Sequence, residues 1–509
     1  MQEHYIYGAS VQGIQGYIFE TGKLKEIAGA SEIVEQICTD YFEGFLKNEC
    51  QIRGQITLIR KAAGNIRLIC DKADAEKIVK YFPKSIQENF PGLSISQALV
   101  KYTGQLTNQE MDLLEKKLNF QRNKPIRPYL TGISAAIRAP RTGRIAYKRN
   151  DDKELIDRAS WEKLQKGTDE AHHRLTKKFL DENKGRFPFD FSEIIHPGCK
   201  WLAVIHADGN NLGKILQSLG KSLKNYPGHV ADGYREFSEC LDRATTKAAK
   251  TAFEKTFQKS KEKVFPFRPI ILGGDDFTVV CRADMAIEFT QYFLEEFEKE
   301  TKEHFKGLVQ GYSLEDFQDG LTACAGIAFI KESYPFHYGY HLAEELCAQA
   351  KKASKKIPGI PSSLAFHKIL SSFYDDYEET KKRELTASPK DNQDKPIHFD
   401  FGPYAINKNT SLPCIQDLRD CVKTLEKKDA PKSGLRRWLS EIHHSELQAK
   451  ELIQRVAQIA KSKEDFQVHE FDESIKKLGA NLSLGNPMTN ENKTPLFDIL
   501  TLLSWEGEQ

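Results

Sequence analysis

"PFRPIILGGDDFTVVC", Pro266 to Cys281, sets two apolar runs on either side of Gly273, Gly274, Asp275 and Asp276. The flanks read as two antiparallel strands and the four central residues as the tight turn that joins them. Gly and Asp are ordinary turn residues, so a solvated turn is one reading. Adjacent carboxylates repel, however, and a bound cation relieves that repulsion, so a charged site is the other. The surrounding chain decides between them.

Upstream, "KWLAVIHAD" (Lys200–Asp208) is an apolar run that ends in an acid, and "GNNLGKIL" follows as a helix start. Downstream, Met285, Phe289, Phe293 and Phe297 recur every four residues as one helical stripe, and "LTACAGIAFI" (Leu321–Ile330) reads as a closing strand. A further helix, "YHLAEELCAQAKKASKK", comes next. The order is β-α-β-β-α-β, the ferredoxin-like arrangement. The N-terminal hundred residues repeat it. "HYIYGASV" (His4–Val11) is a strand, "QITLIRKAAGNIRLIC" (Gln55–Cys70) two strands around a turn, and "LSISQALVKY" (Leu93–Tyr102) a strand. The helical stretch between the last two is expected to break at Pro83.

The two units align as a diverged duplication: Ala62 with Gly273, Ala63 with Gly274, Gly64 with Asp275, Asn65 with Asp276, Ser10 with Asp208 and Ile14 with Leu212. Wherever the second unit has one of these carboxylates, the first has Ser10, Gly64 or Asn65. The fold class is therefore α+β, with two tandem ferredoxin-like domains, a helical linker and a helical C-terminal domain. The expected boundaries are 1–106 for the first unit, 107–197 for a basic, partly helical linker, 198–372 for the second unit and 373–509 for the C-terminal part. Residues 217–263 form a helical insertion in the second unit, expected as a helical pair, and Glu378–Lys395 a loose polar linker.

In such a fold the end of strand one lies beside the hairpin of strands two and three, so Asp208, Asp275 and Asp276 converge. An oxygen-only donor set suits Mg²⁺ or Mn²⁺, and two such ions would activate an attacking hydroxyl and neutralise a leaving pyrophosphate. Gly273 and Gly274 let a triphosphate approach, and Gly209, Asn210 and Asn211 offer N–H groups at a helix start. Asp275 and Asp276, as strand neighbours, are not expected to play equal roles. Lys351 is a candidate γ-phosphate contact, or an exposed helix lysine.

Composition narrows the partners. The 509 residues are 29% charged and 39% hydrophobic with a formal net charge of +2, which excludes a surface that tracks nucleic acid throughout but allows a local basic patch. Lys124–Asn150 is such a patch, with Lys124, Arg127, Arg138, Arg141, Arg144, Lys148 and Arg149 and no acid; it reads as a phosphate-contacting surface or as a solvated loop. The ten cysteines stand singly with no CxxC pair, so a zinc ribbon is not expected. His172–His173 and His443–His444 lack further ligands and read as surface residues. No apolar run is long enough to span a membrane and no secretory signal is present, so a cytoplasmic location is expected.

"GIQGYIF", "LKEIAGASEIVEQ", "AAGN", "HADGNNLGK" and "ILGGDDF", in this order, resemble the two-palm large subunit of type III CRISPR effector complexes, the polymerase-cyclase family. The resemblance implies nucleotidyl-cyclase-type palm domains and the synthesis of cyclic oligoadenylates from ATP. A 3′-hydroxyl attacks the α-phosphate of the next ATP and pyrophosphate leaves. It implies that Asp208, Asp275 and Asp276 are the catalytic and metal-binding residues, and that Ser31 of "GAS", with Gly64 and Asn65, belongs to the nucleotide pocket of a degenerate palm. Guide or target RNA, other effector subunits and a downstream effector of the product are the implied partners. No His-Asp dipeptide of an HD nuclease is found, nor paired cysteines between the palms, which leaves a stand-alone relative open. A non-catalytic RNA-binding scaffold, or a mono- or dinucleotide cyclase, are the alternatives.

Overall fold

The computed structural model describes all residues except 1–2, 53, 63, 125–134, 170–172, 181–184, 227, 259–262, 315–316, 372–373, 375, 504 and 506–509. Arg127, Ala63 and His172 therefore lie outside the described residues.

The first unit runs β1 (Glu3–Gln12), α1 (Ile14–Ile18), α2 (Leu24–Cys38), α3 (Asp40–Asn48), β2 (Thr57–Ala62), β3 (Asn65–Cys70), α4 (Lys72–Asn89) and β4 (Ser94–Thr103). Its antiparallel sheet has the order β2-β3-β1-β4, that of a ferredoxin-like fold. Helix α4 passes through Pro83 without breaking. The ring removes the amide that would bond Val79, and Gln97 on β4 replaces it, donating Nε2 to the Val79 carbonyl at 2.8 Å. A side chain thus supplies the hydrogen bond whose loss would have ended the helix.

Helix α5 (Asn108–Arg122) packs back on β4 and β1. A small hairpin, β5 (Ala146–Arg149) and β6 (Leu155–Asp157), leads into α6 (Arg158–Thr168) and α7 (Arg174–Phe179). The second unit then runs β7 (Trp201–Gly209), α8 (Leu212–Ser222), α9 (Val230–Thr256), β8 (Phe267–Gly273), β9 (Asp276–Arg282), α10 (Ala283–His304), α11 (Lys306–Tyr312) and β10 (Ala323–Lys331). Its sheet repeats the first order and extends it. Helix α12 (Phe336–Ser354) crosses over to β11 (Ser363–Lys368), parallel to β10, a strand the sequence reading did not anticipate. The insertion is dominated by one long helix, α9, rather than a helical pair. Phe237, Leu241, Ala244, Ala248 and Ala252 bury its inner face against α10.

Glu378–Lys395 is ordered where a loose linker was expected. Asp376 caps α13 (Tyr377–Glu384) by accepting the Glu379 amide, and β12 (Thr386–Ala387) pairs with β13 (Ile397–His398). Strand β14 (Tyr404–Ala405) then joins β11, so the C-terminal part completes the second sheet. Five helices follow: α14 (Ile415–Glu426), α15 (Lys432–Glu441), α16 (Glu446–Ala460), α17 (Val468–Leu478) and α18 (Leu496–Leu503).

The core behind the hairpin of β8 and β9 is aromatic. Phe253, Phe257, Phe267, Phe277, Phe289 and Phe293 are all buried, with ring centroids 4.7–5.9 Å apart from neighbour to neighbour. Such packing holds the hairpin as one rigid piece. Among the described residues, no helix is long and apolar enough to cross a membrane.

The two units face each other through a pseudo-twofold relation. Helix α2 of the first lies against β8 of the second, and α9 of the second lies against β2 of the first. Across this interface Ser31 on α2 donates to the Ile270 carbonyl of β8, while Thr245 on α9 donates to the Gly274 carbonyl of its own unit at 2.7 Å.

Candidate active site

Strand register sets the aligned positions of the two units in the same places. Ala62 pairs with Asn65 at the end of the first hairpin, and Gly273 with Asp276 at the end of the second. Each hairpin also carries a β-bulge at the same point, between Leu58 and Arg60 in one and between Pro269 and Ile271 in the other. The first strands end alike: Gly13 (φ 65°) and Asn211 (φ 59°) are left-handed residues that open α1 and α8. The turns differ in one respect. Positive φ falls on Gly64 in the first hairpin but on Gly274, one position earlier, in the second. Asp275 thus avoids a conformation that an L-residue with a Cβ adopts only at a cost.

Asp208, Asp275 and Asp276 come together: one carboxylate oxygen from each lies within 4.8 Å of the others. Asp208 ends β7, Asp276 opens β9 and Asp275 sits in the turn. A Cβ on Gly209 would stand 3.0 Å from the Cβ of Asp275, so a larger residue would press the turn outward. The turn bends the strand alternation enough for both neighbouring aspartates to reach one point. Burial, with the charges of Asp276 and Asp208, pushes Asp275 up to about 7. Burial, with Asp208, pushes Asp276 up to about 6; protein crowds it on most sides although solvent reaches it through the adjoining cavity. Lys351 on α12 donates to Asp208 and is, among the described residues, the cation in direct contact with the cluster. Its own pKa is raised: burial works against the charge, but Asp208 outweighs it.

The donor set fits a hard divalent cation, being three carboxylates that strain against one another and compete for a single ammonium. Asp208, Asp275 and Asp276 would hold such an ion. Zn-type ligands are absent from this cluster, which contains no His or Cys.

Two cavities flank the carboxylates, related by the same pseudo-twofold. One, of about 400 Å³, lies between the start of the first unit's α1 and the second unit's hairpin; Gln12, Gly13, Ser31, Gly273, Asp276 and Tyr340 line it. The other, of about 630 Å³, lies between the start of α8 and the first unit's hairpin; Leu212, Gly213, Gly274, Asn65, Arg60 and Arg67 line it. Ser31 and Asn65, expected in one pocket, border different cavities. Gly64 packs under Ile14, where a Cβ would meet Ile14 Cδ1 at 2.4 Å. Asn65 bonds to Ser10, so the first unit replaces the acid cluster with a neutral hydrogen bond. Asn210 turns inward: its backbone amide donates to Thr322 and its side chain to Thr322 and Cys324. Asn211 makes no side-chain cap on α8, whose first amides face the larger cavity.

Other residues at this site were not picked out from sequence. His206 stands two residues before Asp208 on the same strand face and bonds Thr278 at 3.0 Å; burial holds its pKa down, so it is a neutral imidazole. Tyr340 lies edge-on to His206 and stacks at 3.9 Å on Phe19 of "GIQGYIF", fastening the two units together. Strand alternation back from Asp208 could have found His206; nothing local marks Tyr340.

The basic stretch is largely consumed within the molecule. Arg141 pairs with buried Glu26 at 2.8 Å and with Glu154 at 2.9 Å, Arg144 with Glu20 at 2.8 Å, and Arg138 donates to Gly143 O at 2.7 Å. Lys148 lies over Trp161. Arg141 and Arg144 thus fasten the linker to the first unit, while Arg138 and Lys148 are engaged within the linker itself. His173 is buried and donates its Nε2–H to the Lys166 carbonyl, so it is not a surface residue as expected.

The described residues thus form two tandem ferredoxin-like units, the second carrying a carboxylate cluster. Residues 201–357 match the family described as Cas10/Cmr2, second palm domain. A comparison with curated proteins finds no match. Among solved structures, the fold is similar to Csm1 of T. onnurineus, with 15% identity, TM-score 0.54, and coverage of 99% of this chain and 70% of that one. It is also similar to a Csm1–Csm4 cassette in complex with one ATP, with 14% identity, TM-score 0.52, and coverage of 98% and 70%. A Csm1–Csm4 cassette in complex with pppApA matches at 14% identity and TM-score 0.51, covering 98% and 69%. The resemblance to the two-palm large subunit is thus borne out in the family of the second palm and in the fold of the whole chain. The α+β tandem-palm class is borne out with it.

Proposed function

We propose that this Cas10-like protein is a metal-dependent nucleotidyltransferase that joins ATP into cyclic oligoadenylate as a second messenger in prokaryotic antiviral defence. The convergence of Asp208, Asp275 and Asp276 between two cavities carries the reading. Two cavities suit a two-nucleotide reaction: one nucleotide presents a 3′-hydroxyl and the other its α-phosphate. The hydroxyl oxygen gives up its proton to solvent and bonds to phosphorus, the bond to the bridging oxygen breaks, and pyrophosphate carries away the charge. Bound Mg²⁺ or Mn²⁺ would supply the positive charge this needs. The chain's own residues would position the partners: Gly273 and Gly274 admit the triphosphate, and Gly209, Asn211 and the start of α8 border it. Lys351 would release Asp208 when a cation arrives and turn to phosphate. Ser31, Gly64 and Asn65 would shape the acid-free side, with Asn210 holding the strand end in place.

Related solved structures name ATP and pppApA as ligands of those proteins, which supports adenine as the base here. Their pairing with Csm4 supports other effector subunits, and through them guide or target RNA, as partners; a cytoplasmic setting follows from that role. A downstream effector would read the product.

The test is incubation with ATP and Mg²⁺ or Mn²⁺, with and without target RNA, and mass spectrometry of the products. Oligoadenylate is expected from the wild type and its loss, by a factor of about 10² or more, from Asp275→Ala with Asp276→Ala. Equal product from that double variant would overturn the reading.

A further inference from the structure

The larger cavity carries a cation that the site, as described so far, does not use. Arg60 lies on β2 of the first unit, the acid-free one, yet it lines the cavity beside Gly274 of the second. One of its terminal nitrogens is 3.9 Å from where a Cβ on Gly274 would stand, and Asp275 is the acid that acts on it most strongly. Its Nε is buried without a hydrogen-bond partner, and among the described residues it forms no ion pair. The neighbouring arginine is different: Arg67 is engaged by Glu115 at 2.8 Å and by the Ala9 and Ile66 carbonyls at 2.9 Å.

The bulge explains how Arg60 comes to point there. An extra residue, Ile59, turns the strand so that Arg60 falls opposite Arg67. The second unit has the same bulge, with Ile271 opposite Thr278, and Ile271 lines the smaller cavity. Of two positions related by the pseudo-twofold, one therefore holds a guanidinium and the other an aliphatic chain. A cation needed only to balance the carboxylates would touch them, as Lys351 touches Asp208. Arg60 stops short, on the cavity side.

We propose that Arg60 is a binding residue for the β- and γ-phosphates of the nucleoside triphosphate in the larger cavity, donated by the acid-free palm to a nucleotide that lies against Gly274 and the start of α8 of the other. This rests on the nucleotidyltransferase reading above and adds to it. The guanidinium suits the task because its planar fork makes two parallel bonds to phosphate oxygens and keeps its charge when partly buried. The Ile271 cavity lacks a guanidinium at this position; Arg122 borders both cavities and so does not distinguish them. The two palms are thereby unequal in what they bind, not only in which carboxylates they have kept.

The experiment is calorimetric binding of α,β-methylene ATP and of AMP, with Mg²⁺, to the full-length wild type, Arg60→Ala and Arg60→Lys. Inorganic tripolyphosphate serves as competitor. Arg60→Ala is expected to weaken the triphosphate about tenfold or more while leaving AMP within about twofold, and tripolyphosphate to lose its power to compete. Arg60→Lys keeps the charge without the fork and should fall between. A thermal melt of each variant tests folding, and Arg60→Lys carries the test should Arg60→Ala not fold. Equal loss of AMP and triphosphate affinity, or unchanged triphosphate affinity, overturns the assignment of Arg60 alone. A wild type that binds no triphosphate overturns the nucleotidyltransferase reading, and this inference with it.

Discussion

Asp275 and Asp276 are held folded at a cost that depends on pH. An unfolded aspartate titrates at 3.8, whereas burial and its neighbours hold Asp275 near 7 and Asp276 near 6. Between those values the folded chain keeps protons that the unfolded chain has released. Stability of the cation-free protein therefore falls as pH rises from about 4 to about 7 and then levels. A divalent cation removes the penalty. Mg²⁺ should accordingly raise the melting temperature more at pH 7.5 than at pH 5. In EDTA, Asp275→Asn should raise it at pH 7.5, by on the order of 2 °C, and leave it unchanged near pH 4. Differential scanning calorimetry at the two pH values checks both; a destabilised Asp275→Asn at pH 7.5 would show that the carboxylates are not in tension. Sequence made these acids visible because adjacent charges in an apolar hairpin are conspicuous. Arg60 was not visible, since an arginine in "TLIRKA" is unremarkable until a bulge turns it toward another unit.

At the scale of elements, the "GAS" segment acquires a packing meaning. A Cβ on Gly29 of α2 would stand 1.8 Å from the Lys163 carbonyl of α6, and a Cβ on Gly167 of α6 would stand 1.9 Å from the Lys25 carbonyl. The two helices touch backbone to backbone, each through its own glycine, and Ser31 two residues on ties α2 to β8 of the second unit. Gly29→Ala must push α6 away and should cost about 1–3 kcal/mol, seen as a lower midpoint in urea unfolding. Because α2 also borders the smaller cavity, its displacement should open that cavity as well. An exposed glycine offers the control: Gly16→Ala, in α1, meets nothing within 4 Å and should leave the midpoint unchanged or raise it by up to about 1 kcal/mol. The existence of α2 was legible as the helix that the β-α-β-β-α-β order requires after the first strand. The crossing was not, because "AGAS" in one helix and "QKGT" in another carry no mark that they meet.

Across the whole molecule, the linker is a clamp. Arg141 closes on Glu26, which is fully buried, and reaches Glu154 and Thr21 as well. Arg141→Ala strands a carboxylate in the interior and should cost about 3–5 kcal/mol, whereas Arg141→Ala combined with Glu26→Gln should recover part of it. Thermal unfolding of the single and double variants tests this; equal losses would mean the arginine acts by bulk alone. Local signals in the chain determined both palm units, their order, the duplication and the acid cluster, since strand alternation, glycine turns and charge in apolar surroundings are short-range properties. Tertiary structure alone decided what the charges touch: Lys351 on Asp208, Arg141 on Glu26, and Arg60 turned toward the opposite palm. It also decided that Pro83 could stay inside a helix and that Tyr404 closes the second sheet. Each of these depends on a partner far away along the chain, and the energy of such a contact resides in the pair, not in either sequence neighbourhood.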